Sequence, residues 1–157
     1  MSELSHADAA GRARMVDVGD KSETERVARA EGSITMNADA LAAIESNHLA
    51  KGDAIATARI AGVMAAKKTS ELIPLCHNIP LTDVGIDVAV DHSLPGLRVQ
   101  AWAASRGRTG VEMEALTAAT VALLTLYDMA KSIDRTMEIS GVRLTAKTGG
   151  KRGDWRR

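Results

Sequence analysis

Apolar and polar residues alternate along four stretches of this chain, and the segments between them carry a helical pattern. Between residues 24 and 36, Ala28, Ala30, Ile34 and Met36 fall on even positions with Arg29 and Glu31 between them. That period of two predicts a strand. Asn37 stands where an N-cap would open a short helix, ADALAAIESNH. Lys51-Gly52 breaks it, and Asp53 can cap a second helix, AIATARIAGVMAAKK. Ala58, Ala61, Gly62, Ala65 and Ala66 give that helix a small-residue surface that permits close approach. An irregular stretch with two prolines follows, ELIPLCHNIP. Val84, Ile86, Val88 and Val90 then alternate with polar or small residues, as do Leu97, Val99, Ala101 and Ala103. Pro95-Gly96 between them suits the centre of a type II turn, which predicts a hairpin. A long helix is expected from near Gly110 to near Ser132, and Val142, Leu144 and Ala146 mark a last strand.

Strand, helices, strand, strand, helix, strand is the order of an α+β, ferredoxin-like βαββαβ fold, an antiparallel sheet with helices on one face. The expected organisation is one domain over 1–157, with residues 1–20 as a flexible extra arm and 148–157 as a mobile, glycine-rich basic tail. Residues 115–127 are apolar almost all round, so the long helix should be buried on more than one side. One such domain cannot easily do that alone, and oligomerisation is expected.

Composition narrows the function. Basic and acidic residues balance at 20 each, which removes the field that a nucleic-acid or anionic-membrane partner would need. With no Phe and only Trp102, Trp155 and Tyr127 as aromatics, base-stacking platforms are scarce. The run 115–127 is too short to span a bilayer, and the first residues, MSELSHADAAGRAR, lack the apolar core of a secretory signal. A single cysteine, Cys76, forbids an internal disulfide. A cytoplasmic protein with neither nucleic-acid nor membrane partner is expected.

Several residues could carry chemistry. Asp128 and Lys131, three apart near the end of the long helix, share one face. The plain reading is a helix-end ion pair, and the functional one is a pair that exchanges protons with a substrate. Lys51 lies between two helices, where a solvated lysine is the default. Cys76-His77 lacks the further ligands of a zinc site. Cys76 reads as a small buried hydrophobe, and His77 as a proton carrier, an anion donor or a structural loop residue. Thr109 and Glu112 match a capping box, while GRTGVEMEA also resembles a phosphate loop entering a helix without the full Walker pattern. Arg26 lies on the apolar parity of the first strand, so either the strand starts later or the side chain enters a pocket. Lys147 lies opposite the core parity of the last strand, where solvent is the default. Glu114 and Asp128 would be roughly 21 Å apart on a continuous helix. A site that uses both must be assembled from two subunits.

Taken in order, MVDV (15–18), KGDAIATARIAG (51–62), LIPLCH (72–77), TGVEMEALTAA (109–119), LYDMAK (126–131) and VRLTAKTGGKRGD (142–154) resemble the cyclic pyranopterin monophosphate synthases, the molybdenum cofactor biosynthesis protein C family. The resemblance implies a ferredoxin-like subunit and a homohexamer, a trimer of dimers with the site at a dimer interface. It implies a lyase converting 3′,8-cyclo-7,8-dihydro-GTP to cyclic pyranopterin monophosphate with release of diphosphate. It needs no cofactor of its own, although Mg2+ could ride on the triphosphate. Residue by residue, it implies Asp128, Lys131 and Lys51 as catalytic, and Leu75, Cys76, His77, Met113, Glu114, Glu112, Arg26 and Lys147 as substrate contacts. The alternative is a non-catalytic, nucleotide-binding regulatory domain of the same fold.

Overall fold

A computed structural model describes residue 7, residues 10–151 and residues 153–157. The rest of the expected N-terminal arm, 1–6 and 8–9, lies outside the described residues, as does Arg152. The elements run β1 (Thr24–Thr35), α1 (Ala38–Glu45), α2 (Ala54–Lys67), α3 (Thr69–Leu72), β2 (Leu81–Asp91), β3 (Gly96–Gly107), α4 (Glu112–Ala130), β4 (Glu138–Thr148) and β5 (Trp155–Arg156). The sheet order is β2-β3-β1-β4-β5, with every neighbouring pair antiparallel. The first four strands give the expected ferredoxin-like order, and β5 adds a short edge.

Alternation sorts the sheet into two faces. Ala28, Ala30 and Ile34 of β1 and Leu97, Val99, Ala101 and Ala103 of β3 are all buried beneath the helices. On the opposite parity Arg29, Arg98 and Gln100 are exposed. The sheet's second face therefore meets water through charged and polar side chains, as an antiparallel sheet allows.

Helix α4 packs along the sheet through Ala115, Ala118, Ala119, Ala122, Leu123 and Leu126, which are all fully buried. Alanines in place of aromatics bring helix and sheet backbones close together. The same applies between helices: a Cβ built on Gly62 of α2 would lie 2.8 Å from Ile86 and 3.0 Å from the Ala118 carbonyl. The apolar helix is 19 residues long, longer than the run read from sequence, and by length and composition alone could cross a bilayer. Its buried half belongs to the protein core. Its outer side is not buried within this chain, where Leu124 is 54% exposed.

Two local expectations are corrected. The β2–β3 turn is not a type II turn on Pro95-Gly96. The Leu94 amide donates to the Asp91 carbonyl at 3.2 Å, and the Asp91 side chain accepts from the Ser93 amide. Gly96 already belongs to the ladder opposite Thr35, where a Cβ would meet the Ile34 carbonyl at 2.0 Å. The glycine is needed for strand contact, not for a left-handed turn.

The second correction concerns β4, whose parity is not continuous. Leu144 opposes Ala30, Ala146 opposes Arg29 and Lys147 opposes Ala28, with a register shift between Arg29 and Ala30. Thr145 is the extra residue of a bulge, and a one-residue shift reverses every side chain after it. Lys147 thus turns from the expected solvent side to the helix side.

If α4 seats on the sheet through this close contact, Leu123→Ala should destabilise the chain by about 2–5 kcal/mol, the range for a buried leucine truncation. Leu123 is fully buried and approaches Gly32 of β1. Chemical denaturation followed by circular dichroism would read the loss, and a change under about 0.5 kcal/mol, the level of a neutral surface substitution, would contradict the packing.

Candidate functional site

The chemistry-bearing residues gather at the two ends of α4. At its C-terminal end, the Asp128 carboxylate stands between two lysines. Lys51 Nζ donates to Asp128 Oδ2 at 2.7 Å and to the Asp128 carbonyl at 2.9 Å. Lys131 Nζ lies 2.8 Å from Asp128 Oδ1. Lys51 reaches across from the α1–α2 connection, so this is more than a pair along one helix. Gly52 follows it at φ +91, which an L side chain rarely adopts. Asp53 then caps α2 by accepting from the Ala56 amide at 2.8 Å.

Hydrogen bonds from Lys131 and then from Lys51 hold the Asp128 carboxyl down at about 2. Near neutral pH it is therefore ionised and accepts from both ammonium groups. All three side chains are about half exposed, and Asp128 lines none of the cavities described below.

Sequence reading missed the residue that braces this end. Asp134 is buried and accepts from the Asn37 amide, the Thr136 amide and the Thr136 hydroxyl at 2.7–2.8 Å. These donors, Thr136 foremost, lower its carboxyl. They tie the segment after α4, which begins with Lys131, to the start of α1, which leads to Lys51. An aspartate next to Arg135 in an unstructured stretch gives no sequence signal of burial.

At the N-terminal end of α4 a cavity of about 600 Å³ opens between β1, β4 and the arm. Lys21, Arg26, Arg108, Lys147 and Lys151 line it, with Glu112 as the only carboxylate among the described residues there. Arg26 does belong to β1, and of its two sequence readings the pocket is the one observed. Its Nε donates to the Gly107 carbonyl at 2.8 Å and its Nη2 to the Arg108 carbonyl at 3.2 Å. Gly150, at φ +87, passes so close that a Cβ would lie 2.6 Å from Arg26 Nη1. The glycine pair after β4 thereby wraps the chain around this arginine. The Thr24 hydroxyl on the same wall is buried and has no hydrogen-bond partner among the described residues.

The expected Thr109–Glu112 capping box does not form. Val111 takes the N-cap position, with no side-chain cap. Glu112 instead accepts from Lys147 Nζ at 2.7 Å, across the interval from α4 to β4. The bulge at Thr145 made that ion pair available, and sequence parity could not show it.

A smaller cavity of about 170 Å³ adjoins, sharing Thr109, Gly110 and Glu112 with the first. Leu75, Cys76, His77, Met113 and Glu114 line it. Glu114 is buried, which raises its carboxyl, and the nearby Glu112 charge raises it further. Burial and then Glu114 push the Cys76 thiol up as well. This thiol favours its neutral form, consistent with a packing role rather than a nucleophilic one. His77 Nε2 donates to the Val16 carbonyl at 2.8 Å, and Arg108 Nη1 to the Gly19 carbonyl at 2.7 Å. The arm between residues 16 and 19 is thus fastened to the cavity wall. At the other terminus the tail turns back, and Trp155–Arg156 pairs with β4.

Eight of the eleven residues singled out from sequence therefore meet around these two cavities, and three meet at the far end of α4. Glu114 and Asp128 are about 21 Å apart along the axis at roughly 1.5 Å per residue.

The depressed Asp128 carboxyl sets a pH window. Its folded value, about 2, lies below the usual ~3.9, so the triad is complete above about pH 4 and dissolves as pH falls towards 2. A carbon-13 titration of the Asp128 carboxyl should show its midpoint near 2, moving towards ~3.9 in a Lys51→Met/Lys131→Met double variant. An unperturbed midpoint in the unsubstituted protein would contradict the geometry.

Residues 15–150 match the MoaC family. A Brucella ovis protein named cyclic pyranopterin monophosphate synthase is 60% identical over 152 residues, 97% of this chain and 92% of its own length. A Brucella canis protein of the same name is 59% identical over the same share of each chain. The chain belongs to the MoaC family.

Proposed function

We propose that this chain is a cyclic pyranopterin monophosphate synthase, a lyase of molybdenum cofactor biosynthesis, and that its active site is made from opposite ends of α4 in two subunits. Membership of the MoaC family and its synthase relatives support the reaction. One observation carries the site: among the described residues, five cationic side chains and a single carboxylate line a cavity of about 600 Å³ in a chain of zero net charge. Such a basin suits a triphosphate, whose charge-assisted hydrogen bonds are the strong kind.

Each group's role follows from its setting. Arg26, Arg108, Lys147, Lys21 and Lys151 hold the phosphates of 3′,8-cyclo-7,8-dihydro-GTP. They stabilise the charge that grows on diphosphate as a ribose hydroxyl attacks the innermost phosphate. Glu112 positions Lys147. Leu75, Cys76, His77, Met113 and the buried Glu114 seat the base in the adjoining cavity. Lys51 and Lys131 supply protons for purine ring opening and pyran closure, and Asp128 keeps both ammonium groups aimed. Any Mg2+ would arrive on the phosphate oxygens. A cytoplasmic location suits a nucleotide-derived substrate and a lone cysteine.

The Lys–Asp–Lys cluster lies too far from the basin to reach a substrate held there on the same chain. A twofold partner lying antiparallel along α4 would bring its cluster to this basin and receive the reciprocal contact. A trimer of such dimers is the proposed assembly. The outward, partly apolar side of α4 is available for this contact.

Subunit complementation tests the arrangement. Asp128→Ala and Lys147→Ala should each lose diphosphate release in a single-turnover assay while keeping the parent's size on gel filtration. Co-refolded one to one, they should recover about one quarter of the parent activity, because half of randomly paired dimers carry one intact site of two. No recovery from correctly sized mixtures would overturn the shared site. An unmodified protein that fails to turn over the cyclic nucleotide would overturn the reaction itself.

A further inference from the structure

The second face of the sheet, opposite the helices and the basin, carries its own cationic trough. One rung crosses all five strands: Arg156 of β5 opposes Ala146, Ala146 opposes Arg29, Arg29 opposes Trp102, and Trp102 opposes Gly85. Beside the rung lies a depression of about 620 Å³, where Ala146 presents only a methyl group and the Ala30–Ala101 pair, its side chains turned to the helices, leaves strand backbone as the floor. Arg29, Arg143, Arg156 and Arg157 line it, with Glu31 as the one side-chain carboxylate among the described residues there.

Glu31 is already committed. Arg143 donates to its Oε1 through Nε at 2.8 Å and Nη2 at 2.6 Å. The guanidinium groups of Arg29, Arg156 and Arg157 have no hydrogen-bond or ion-pair partner among the described residues. Three guanidinium groups outside any ion pair among the described residues thus line one depression.

Their placement is built rather than incidental. A Cβ on Gly85 would lie 1.9 Å from the Trp102 ring, so the indole lies flat across that glycine. Its Nε1 donates to Asp83 Oδ2 at 2.7 Å, fixing the ring. The Arg29 guanidinium stands 5.8 Å from the ring centroid, within cation–π range. β5 brings Arg156 and Arg157 alongside, anchored by the Arg157 amide on the Thr145 carbonyl at 2.9 Å. None of these groups has a part in the reaction proposed above.

We propose that this trough is a second ligand site that takes an oligophosphate anion, inorganic or carried on a nucleotide. Planar forks suit phosphate oxygens in pairs, and a depression of this volume fits a small ligand. Arg29, aligned by Trp102, and Arg156 from β5 clamp the phosphate chain from either side of Ala146. The inference does not depend on the catalytic reading, because the two sites lie on opposite faces of the sheet.

Full-length protein carrying Trp155→Phe keeps Trp102 as its only indole, so its emission reports the trough. Titration with inorganic tripolyphosphate, and separately with ATP, at constant ionic strength should give a saturable change. Arg29→Gln and Arg156→Gln should each weaken it about tenfold, roughly the loss of one charge-assisted bond, while turnover at the catalytic site persists. Lys147→Gln, in the other basin, should leave the emission response in place. Equal response to both probes assigns recognition to the phosphate chain, and preference for ATP adds a nucleoside contact. A non-saturating response, an affinity indifferent to both arginine variants, or one abolished by Lys147→Gln overturns the proposal.

Discussion

The close seating of α4 on the sheet governs everything else in this molecule. Alanines at 115, 118, 119 and 122 let the helix lie near the strands along its length, and Leu123 and Leu126 fill the remaining space. A helix pinned that way cannot bend to bring its ends together. The acidic first turn and the Asp128–Lys131 last turn are therefore held at opposite ends of one rigid rod. That rigidity keeps the two groups of candidate residues apart within one chain, which is why the proposed site draws on two subunits.

Electrostatics follows the same partition. A net charge of zero conceals strong local sorting. Cations collect in the basin beside Glu112 and again in the trough beside Trp102, while acidic residues are spent inside specific pairs. Glu31 answers Arg143, Glu112 answers Lys147, and Asp128 answers two lysines at once. Each cluster is partly solvated, so the pairs serve geometry more than stability. Asp134 differs because its carboxylate is buried, satisfied by two amides and a hydroxyl.

The residues with the clearest local patterns were legible before any coordinates. Strand alternation from Ala28 to Ile34 and from Leu97 to Ala103, the caps at Asn37 and Asp53, and the small surface of α2 all act over a few residues. The two misreadings differ in origin. Pro95-Gly96 looks like a turn, but the Asp91 carboxylate closes the turn three residues earlier. Thr109 and Glu112 look like a capping box, but Glu112 accepts from Lys147 and Val111 takes the cap position. The first bond is local, within the β2–β3 connection, and only the second comes from a strand distant in the chain.

Sequence alone determined the order of the four long strands and the three longer helices, their apolar faces and the residue types available for chemistry, because periodicity and capping are properties of neighbouring residues. Tertiary structure decided register. The bulge at Thr145 leaves no mark in composition, yet it turns Lys147 inward to Glu112 and lays Ala146 beside Arg29 on the other face. Which cations face a common cavity depends on pairing between strands distant in the chain. That pairing is fixed only when the whole sheet closes against α4.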